Sequence, residues 1–218
     1  MRKIITLLIF MIANVAISQI NTNNLIAWWE FDGDSKDLSG VGNDGEVRGA
    51  KLTEDRFGNE SSAYYFDGIY DYIIVDNFYI EPFILRRSYT ISFWILKNYN
   101  GNQQTIISKG NGFTINTNEN LNFNNFNIMN FMPYNAWTHI ACVFNGNLVN
   151  TYQNGILINT EFIEENPIED SPFVIGAHMN MDGTPIRGSY FSGKLDEIGI
   201  WSKAMSSEEV MKIYLNKK

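Results

Sequence analysis

Residues 89–96 read Tyr-Thr-Ile-Ser-Phe-Trp-Ile-Leu. Successive side chains of a β-strand point to opposite faces, so Ile91, Phe93 and Ile95 share one face and Thr90, Ser92 and Trp94 the other. Strand-like runs recur on both sides of this one. Upstream they cover 25–31, 63–66 and 72–75. Downstream they cover 105–108, 112–116, 121–128, 137–144, 149–153, 156–162, 173–177 and 190–201. Asn154-Gly155 suits a tight primed turn, which needs positive φ at both central residues, and Asn145-Gly146 is expected to turn the preceding pair. Many short strands with frequent turns predict an all-β sandwich or barrel. One helix is signalled, at the C-terminal end. Ser206-Ser207-Glu208-Glu209 is a capping box, Met205 and Val210 are placed as a hydrophobic staple, and Val210, Ile213 and Tyr214 form an apolar stripe. Lys212, Lys217 and Lys218 sit toward the negative end of the helix dipole.

The chain has 218 residues, 44% of them apolar and 18% charged, which is enough for one packed β domain. Its formal charge of −8 argues against nucleic acid, whose phosphates call for a basic face. Residues 1–18 read as a secretory signal peptide, with Arg2 and Lys3 before an apolar run at 4–12 and the small residues Ala16 and Ser18 before a cleavage point. The run is shorter than the roughly 20 residues a membrane-spanning helix needs, so no stable membrane insertion is expected after cleavage. The organisation expected is a signal peptide at 1–18 and a single domain at 19–218, located in the medium, the periplasm or on the cell surface. Cys142 is the only cysteine, so no internal disulfide forms, and its place in a strand makes it a small core residue. His139, on the same run, is expected to be structural.

Several segments together resemble the LamG-like jelly-roll family of the concanavalin A-like lectin/glucanase superfamily. The opening is Leu25-Ile26-Ala27-Trp28-Trp29-Glu30-Phe31-Asp32-Gly33-Asp34, followed by Asp37-Leu38-Ser39-Gly40 and Gly42-Asn43-Asp44-Gly45. Asp55-Arg56-Phe57-Gly58, Ala63-Tyr64-Tyr65-Phe66-Asp67-Gly68 and Asp71-Tyr72-Ile73 come next. Tyr89-Thr90-Ile91-Ser92-Phe93-Trp94, Ile106-Ile107-Ser108-Lys109-Gly110 and Trp137-Thr138-His139-Ile140-Ala141 match the middle strands. Tyr152-Gln153-Asn154-Gly155, Val174-Ile175-Gly176-Ala177 and the run from Phe191 to Trp201 complete the likeness, which covers about residues 25–215. The resemblance implies a two-sheet antiparallel jelly-roll sandwich with a short C-terminal helix. It also implies carbohydrate or an extracellular protein as partner, bound at loops or on the concave sheet by a monomer.

Members of the superfamily that hydrolyse glycans carry acids at alternate strand positions, Glu-x-Asp-x-Glu, so that the carboxylates share a face. Here Asp196 and Glu197 are adjacent, and a regular strand would point them to opposite sides. There is no Gly-x-Ser-x-Gly elbow and no zinc-type pair of histidines or cysteines. The expectation is therefore a secreted non-catalytic module that recognises carbohydrate. A glycoside hydrolase or lyase with an unfamiliar site and an adhesion module with a protein partner stand as alternatives. Calcium is the metal to expect, because it takes oxygens from carboxylates, amides and carbonyls, and the stretch from Asp32 to Gly45 is rich in them. The resemblance implies one structural calcium ion where the N-terminal segment meets the last long strand, with Asp32 and Asp196 as first ligands, carbonyls near Gly33 or Gly68 beside them, and Asp67 and Asn43 as further candidates. Sugar rings stack on exposed aromatic faces while amides and charged groups read their hydroxyls. Two loops offer this: 98–104 with Tyr99, and 178–190 with His178, Asn180, Asp182, Arg187 and Tyr190. Trp28, Trp94, Trp137 and Trp201 are expected to pack in the interior. Cells expressing the full chain are expected to export a product that begins at Gln19, which N-terminal sequencing or mass spectrometry of the exported protein checks.

Overall fold

The computed structural model describes residues 22–78, 88–99, 101–110, 113–124, 126–164, 171–180 and 183–216. The signal segment at 1–18, Asp182, Lys217 and Lys218 lie outside the described residues. Among the described residues fifteen strands form two sheets. The first sheet runs, in spatial order, β13 (Ile156–Phe162), β12 (Leu148–Gln153), β11 (Thr138–Asn145), β6 (Ser88–Lys97), β15 (Ser192–Trp201), β4 (Ala63–Asp67) and β3 (Lys51–Thr53), with β1 (Leu25–Trp29) paired to the second half of β15. The second sheet runs β10 (Phe126–Met129), β9 (Leu121–Phe123), β8 (Phe113–Thr117), β7 (Gln104–Lys109), β14 (Phe173–Ile175), β5 (Tyr72–Val75) and β2 (Glu46–Arg48). The pairings between these strands are antiparallel. The architecture is the expected jelly-roll sandwich.

The alternation in β6 sets the first core. Ile91, Phe93 and Ile95 meet Trp29, Phe66, Ile140, Ile175, Leu195 and Ile198 between the sheets. The polar side of β6 is buried too, because the C-terminal segment lies over it. The Thr90 hydroxyl donates to the carbonyl of Lys203 (2.8 Å) and accepts from the amide of Met205 (3.1 Å). Trp94 stacks on Tyr214 with centroids 5.7 Å apart. Helix α1 (Ser207–Tyr214) seals this face, with Trp28, Trp201, Met205, Val210 and Ile213 forming a second core cluster. The capping box is formed as expected: the Glu209 amide donates to Ser206 Oγ and the Ser206 amide to Glu209 Oε2. Lys203 pairs with the same carboxylate.

Three features depart from the strand reading. The run 121–128 is two strands, because Asn124 takes a φ of 49° and its side-chain oxygen accepts the Thr114 amide, making a turn that Asn tolerates. Strands β2 and β3 carry no apolar alternation and are mostly exposed, so their pattern is silent. The turn between β11 and β12 centres on Gly146 and Asn147, since Asn145 still pairs with Leu148. Asn154 and Gly155 do take the primed geometry, with φ of 50° and 77°.

His139 sits on β11 beneath the helix, fully buried, with Nε2 2.8 Å from Ser92 Oγ. Burial, and then the nearby Arg56 charge, push its pKa down to about 3. The folded chain thus leaves His139 neutral where the unfolded chain protonates it, between about pH 6.5 and 3. Stability from this group is complete above that window and is lost as pH falls through it, with a slope of up to about 1.4 kcal/mol per pH unit. Urea midpoints measured across the window are expected to fall less steeply in His139→Gln than in the parent.

Candidate functional site

The exposed face of the second sheet carries a polar concavity of about 430 Å³. Its floor comes from β7, β8 and the turn after β9. On β8, Phe113 and Ile115 point into the core, which leaves Thr114 and Asn116 outward. Asn124 Oδ1 accepts from the Thr114 amide (2.8 Å) and hydroxyl (3.2 Å). Asn116 Nδ2 donates to Thr114 Oγ1 (3.0 Å), and Gln103 Nε2 donates to Asn116 Oδ1 (3.2 Å). The amides on this floor are therefore held in one orientation before any ligand arrives.

The wall is the loop between β14 and β15. Gly176 donates its amide to the Ile106 carbonyl and Phe191 donates back to the Gly176 carbonyl, both at 2.8 Å. The Ser108 hydroxyl holds the Ala177 carbonyl (2.8 Å), and the Thr105 amide holds the Ser189 carbonyl (2.7 Å). Ser189 Oγ donates to the Ile186 carbonyl (2.8 Å) and accepts the His178 amide (3.2 Å). These bonds pin His178, Ile186, Arg187, Gly188 and Ser189 along one side of the cavity.

Of the six ligand candidates, the structure brings His178 and Arg187 together in this cavity. Asn180 sits at the exposed tip, with its amide side chain on Thr184 Oγ1 (3.1 Å). Tyr190 is buried with Val174, Ala177 and Met179, edge-on to Tyr70 at 5.6 Å, so it packs the loop down. Tyr99 is 68% exposed and lines a separate small cavity. Asp182 is outside the described residues. Gln103 and Ser189 fall within the two expected loops without being singled out, and Thr105, Thr114, Asn116 and Asn124 were missed. The alternation Phe113-Thr114-Ile115-Asn116 was the available signal for two of them.

The calcium candidates are committed elsewhere. Asn43 is buried; its Nδ2 donates to the Ile26 carbonyl and its own carbonyl accepts the Trp29 indole N–H, both at 2.9 Å. Asp67 Oδ1 caps the turn through Gly68 by accepting the amides of Ile69 (2.7 Å) and Tyr70 (3.2 Å). Asp32 and Gly33 lie on an exposed turn. Asp37 organises the loop instead: its carboxylate accepts the amides of Trp28, Ser39, Gly42 and Asn43 and the Ser39 hydroxyl. Asp196 is fully buried against a guanidinium rather than against Asp32. Among the described residues no three His, Cys, Asp or Glu side chains come together as a metal-holding group. Calcium takes six to eight oxygens, and this donor set does not fit it.

The expected opposition of Asp196 and Glu197 also fails, for a visible reason. A β-bulge interrupts β15 between Asp196 and Gly199, and Glu197 takes a φ of 45°. Both carboxylates then reach Arg56, with Nη1 3.2 Å from Asp196 Oδ2 and Nη2 2.9 Å from Glu197 Oε1. Arg56 Nη2 also donates to the Asn216 carbonyl (3.3 Å). The guanidinium lies between the rings of Trp94 (4.3 Å) and Phe57 (4.4 Å). The turn that carries it is closed by Asp55, whose carboxylate accepts the Phe57 and Asn59 amides. Cys142 is sealed in the core, and burial pushes its thiol up to about 12.

A family model described as the concanavalin A-like lectin/glucanases superfamily matches residues 66–211. Among curated proteins nothing matches. The binding domain of Paraclostridial Mosquitocidal Protein 1 superposes with a TM-score of 0.69 at 21% identity, covering 88% of this chain and 52% of that one. Domain 4 of AbnA, a GH43 extracellular arabinanase from Geobacillus stearothermophilus solved with arabinotriose, superposes at 0.63 and 17% identity over 88% of this chain and 98% of that one. The binding domain of botulinum neurotoxin DC solved with SialylT superposes at 0.63 and 18% identity, covering 88% and 51%. The chain thus spans about half the length of the toxin binding domains, and these likenesses concern the fold.

Arg56→Ala leaves two buried carboxylates without their counter-charge. The expected loss is about 3–5 kcal/mol in urea denaturation. In the parent protein, the melting temperature is expected to be the same in calcium as in EDTA.

Proposed function

The chain belongs to the concanavalin A-like lectin/glucanase superfamily, and from that premise we propose that it is an exported recognition module that binds carbohydrate in the cavity on its second sheet. The observation that carries this reading is the pre-oriented amide floor. Sugar hydroxyls both donate and accept, and so does a carboxamide. Asn116, Gln103 and Asn124 already spend part of their capacity on one another, so binding does not have to freeze them. A volume near 430 Å³ suits a saccharide unit or two, and Arg187 and His178 add hydrogen-bonding groups at the wall. The arabinotriose in the AbnA domain and the SialylT in the neurotoxin domain support the same ligand class. Hydrolysis has less support, because Asp196 and Glu197 are buried and engaged by Arg56.

A protein partner is the second reading. Edge strand β13 exposes Ile156, Leu157, Ile158 and Phe162, with Leu148 beside it on β12, and an apolar edge is a surface on which another chain can pair. The neurotoxin binding domain has also been solved with rat synaptotagmin II.

The test is a glycan and polysaccharide array probed with the exported protein, followed by calorimetry on any hit. Asn116→Ala and Arg187→Ala are each expected to weaken binding about tenfold or more, since each removes hydrogen bonds worth about 1–3 kcal/mol. A blank array from folded protein overturns the carbohydrate reading in favour of the protein one.

A further inference from the structure

Lys97 closes β6, and its side chain is 1% exposed. Among the described residues its ammonium has no hydrogen-bond partner. What it touches is the face of Tyr134, with Nζ 4.3 Å from the ring centroid. A buried cation without an acceptor is costly, so the group calls for an explanation. It borders a cavity of about 60 Å³ that Tyr99, Asn102, Asn118, Glu119 and Tyr134 also line. That volume is about two waters' share of the liquid, which is room for a carboxylate and too little for a sugar ring. Glu119 acts on the ammonium through its charge but does not hydrogen-bond it. Gln104, the other amide nearby, accepts the Ser192 amide with its oxygen at 2.7 Å.

The rim supplies an aromatic platform. Tyr99 stands 68% exposed and is steadied edge-on by Tyr134, with centroids 5.2 Å apart and planes at 82°. The two cavities draw on the same two stretches of chain. Gln103 lines the larger cavity while its neighbours Asn102 and Gln104 line the smaller, and Asn116 and Asn118 divide in the same way. A glycan of two or more units that reaches from one to the other would meet both.

We propose that the Lys97 cavity is an anion subsite of the carbohydrate site, taking the carboxylate of an acidic sugar whose ring packs on Tyr99. This rests on the carbohydrate reading above. The carboxylate supplies the acceptor that Lys97 lacks, and the larger cavity holds the adjoining residue of the glycan. Burial lowers the Lys97 pKa to about 8, against the opposing pull of Glu119. Binding of the acid therefore weakens as pH rises through about 8. Glu119, Tyr99 and Tyr134 are the other titratable groups on the cavity.

The test compares sialyllactose and oligogalacturonate with their methyl esters, on the parent and on Lys97→Met. The substitution replaces a buried charge by an apolar chain of similar length, so the fold is expected to survive it. At least one acid is expected to bind the parent tenfold or more tighter than its ester. Lys97→Met is expected to erase that ratio while leaving ester binding in place. A ratio that persists in Lys97→Met, or acids that bind no better than esters, overturns the subsite. If neither acid nor ester binds the parent, free glucuronate is titrated while the Lys97 ammonium is followed by NMR. A saturable shift that is absent in Lys97→Met then supports the anion subsite even as the carbohydrate reading fails, and no shift overturns both.

Discussion

The Arg56 guanidinium ties four separate parts of the chain to one point. It is delivered by the Asp55-closed turn, meets the bulge of β15, lies on the ring of Trp94 from β6, and reaches the carbonyl of Asn216 just beyond α1. Arg suits this position because its planar fork donates in several directions at once and its flat face stacks on aromatics. The cost lies on the other side of the pair. Two adjacent carboxylates are buried and one of them has a left-handed backbone, so neither the bulge nor the burial is tolerable without the cation. This ion cluster occupies the junction where a calcium ion was expected. It joins an early loop to the last strand through a side chain.

The cluster also decides which face of the sandwich is available. On the first sheet, α1 and the segment before it cover Thr90, Ser92, Trp94 and His139. What alternation marks as the polar side of β6 is thereby interior, and its polar groups bond to one another and to the C-terminal segment. Among the described residues, no helix covers β7 and β8 of the second sheet in this way. Its outward Thr and Asn side chains remain at the wall of a cavity, framed by a loop whose backbone bonds tie it to Ile106, Thr105 and Ser108. The polar groups left accessible therefore collect on the second sheet, because packing has consumed the first.

The fold was legible because its signals are local. Strand alternation in β6, the Asn154-Gly155 turn and the Ser206–Glu209 capping box each specify geometry within a few residues. The candidate site was legible only in part. Arg187 and His178 were visible as polar groups on one loop, but their companions come from β8 and the turn at Asn124, many residues away, and only the sheet register joins them. The pairing of Asp196 with Glu197 was hidden by a single extra residue. Its trace is the spacing of Leu195, Ile198 and Ile200, all facing the core, which breaks the period of two once. The expected calcium ligands are not brought together here, and Asp-Gly and Asn-Gly pairs serve turns as readily as metals. Asp37 and Asp67 are spent on backbone amides here.

Net charge and local charge point in opposite directions in this molecule. At −8 the chain repels an acidic polymer at a distance, yet one of its concavities holds Arg187 and the other is bordered by Lys97. Screening resolves the conflict. Beyond about 8 Å at physiological ionic strength, exposed charges contribute little, whereas a buried ammonium is screened much less. An acidic ligand would gain nothing from steering and everything from contact, so association would be slow relative to a basic protein and selectivity would reside in the seated complex. A lysine at an open surface would serve such a ligand poorly, since water would compete for it at every moment. Placing the ammonium under Tyr134, at the end of a central strand, keeps it dry and fixed, and makes an ill-matched, uncharged glycan leave a buried cation unsatisfied.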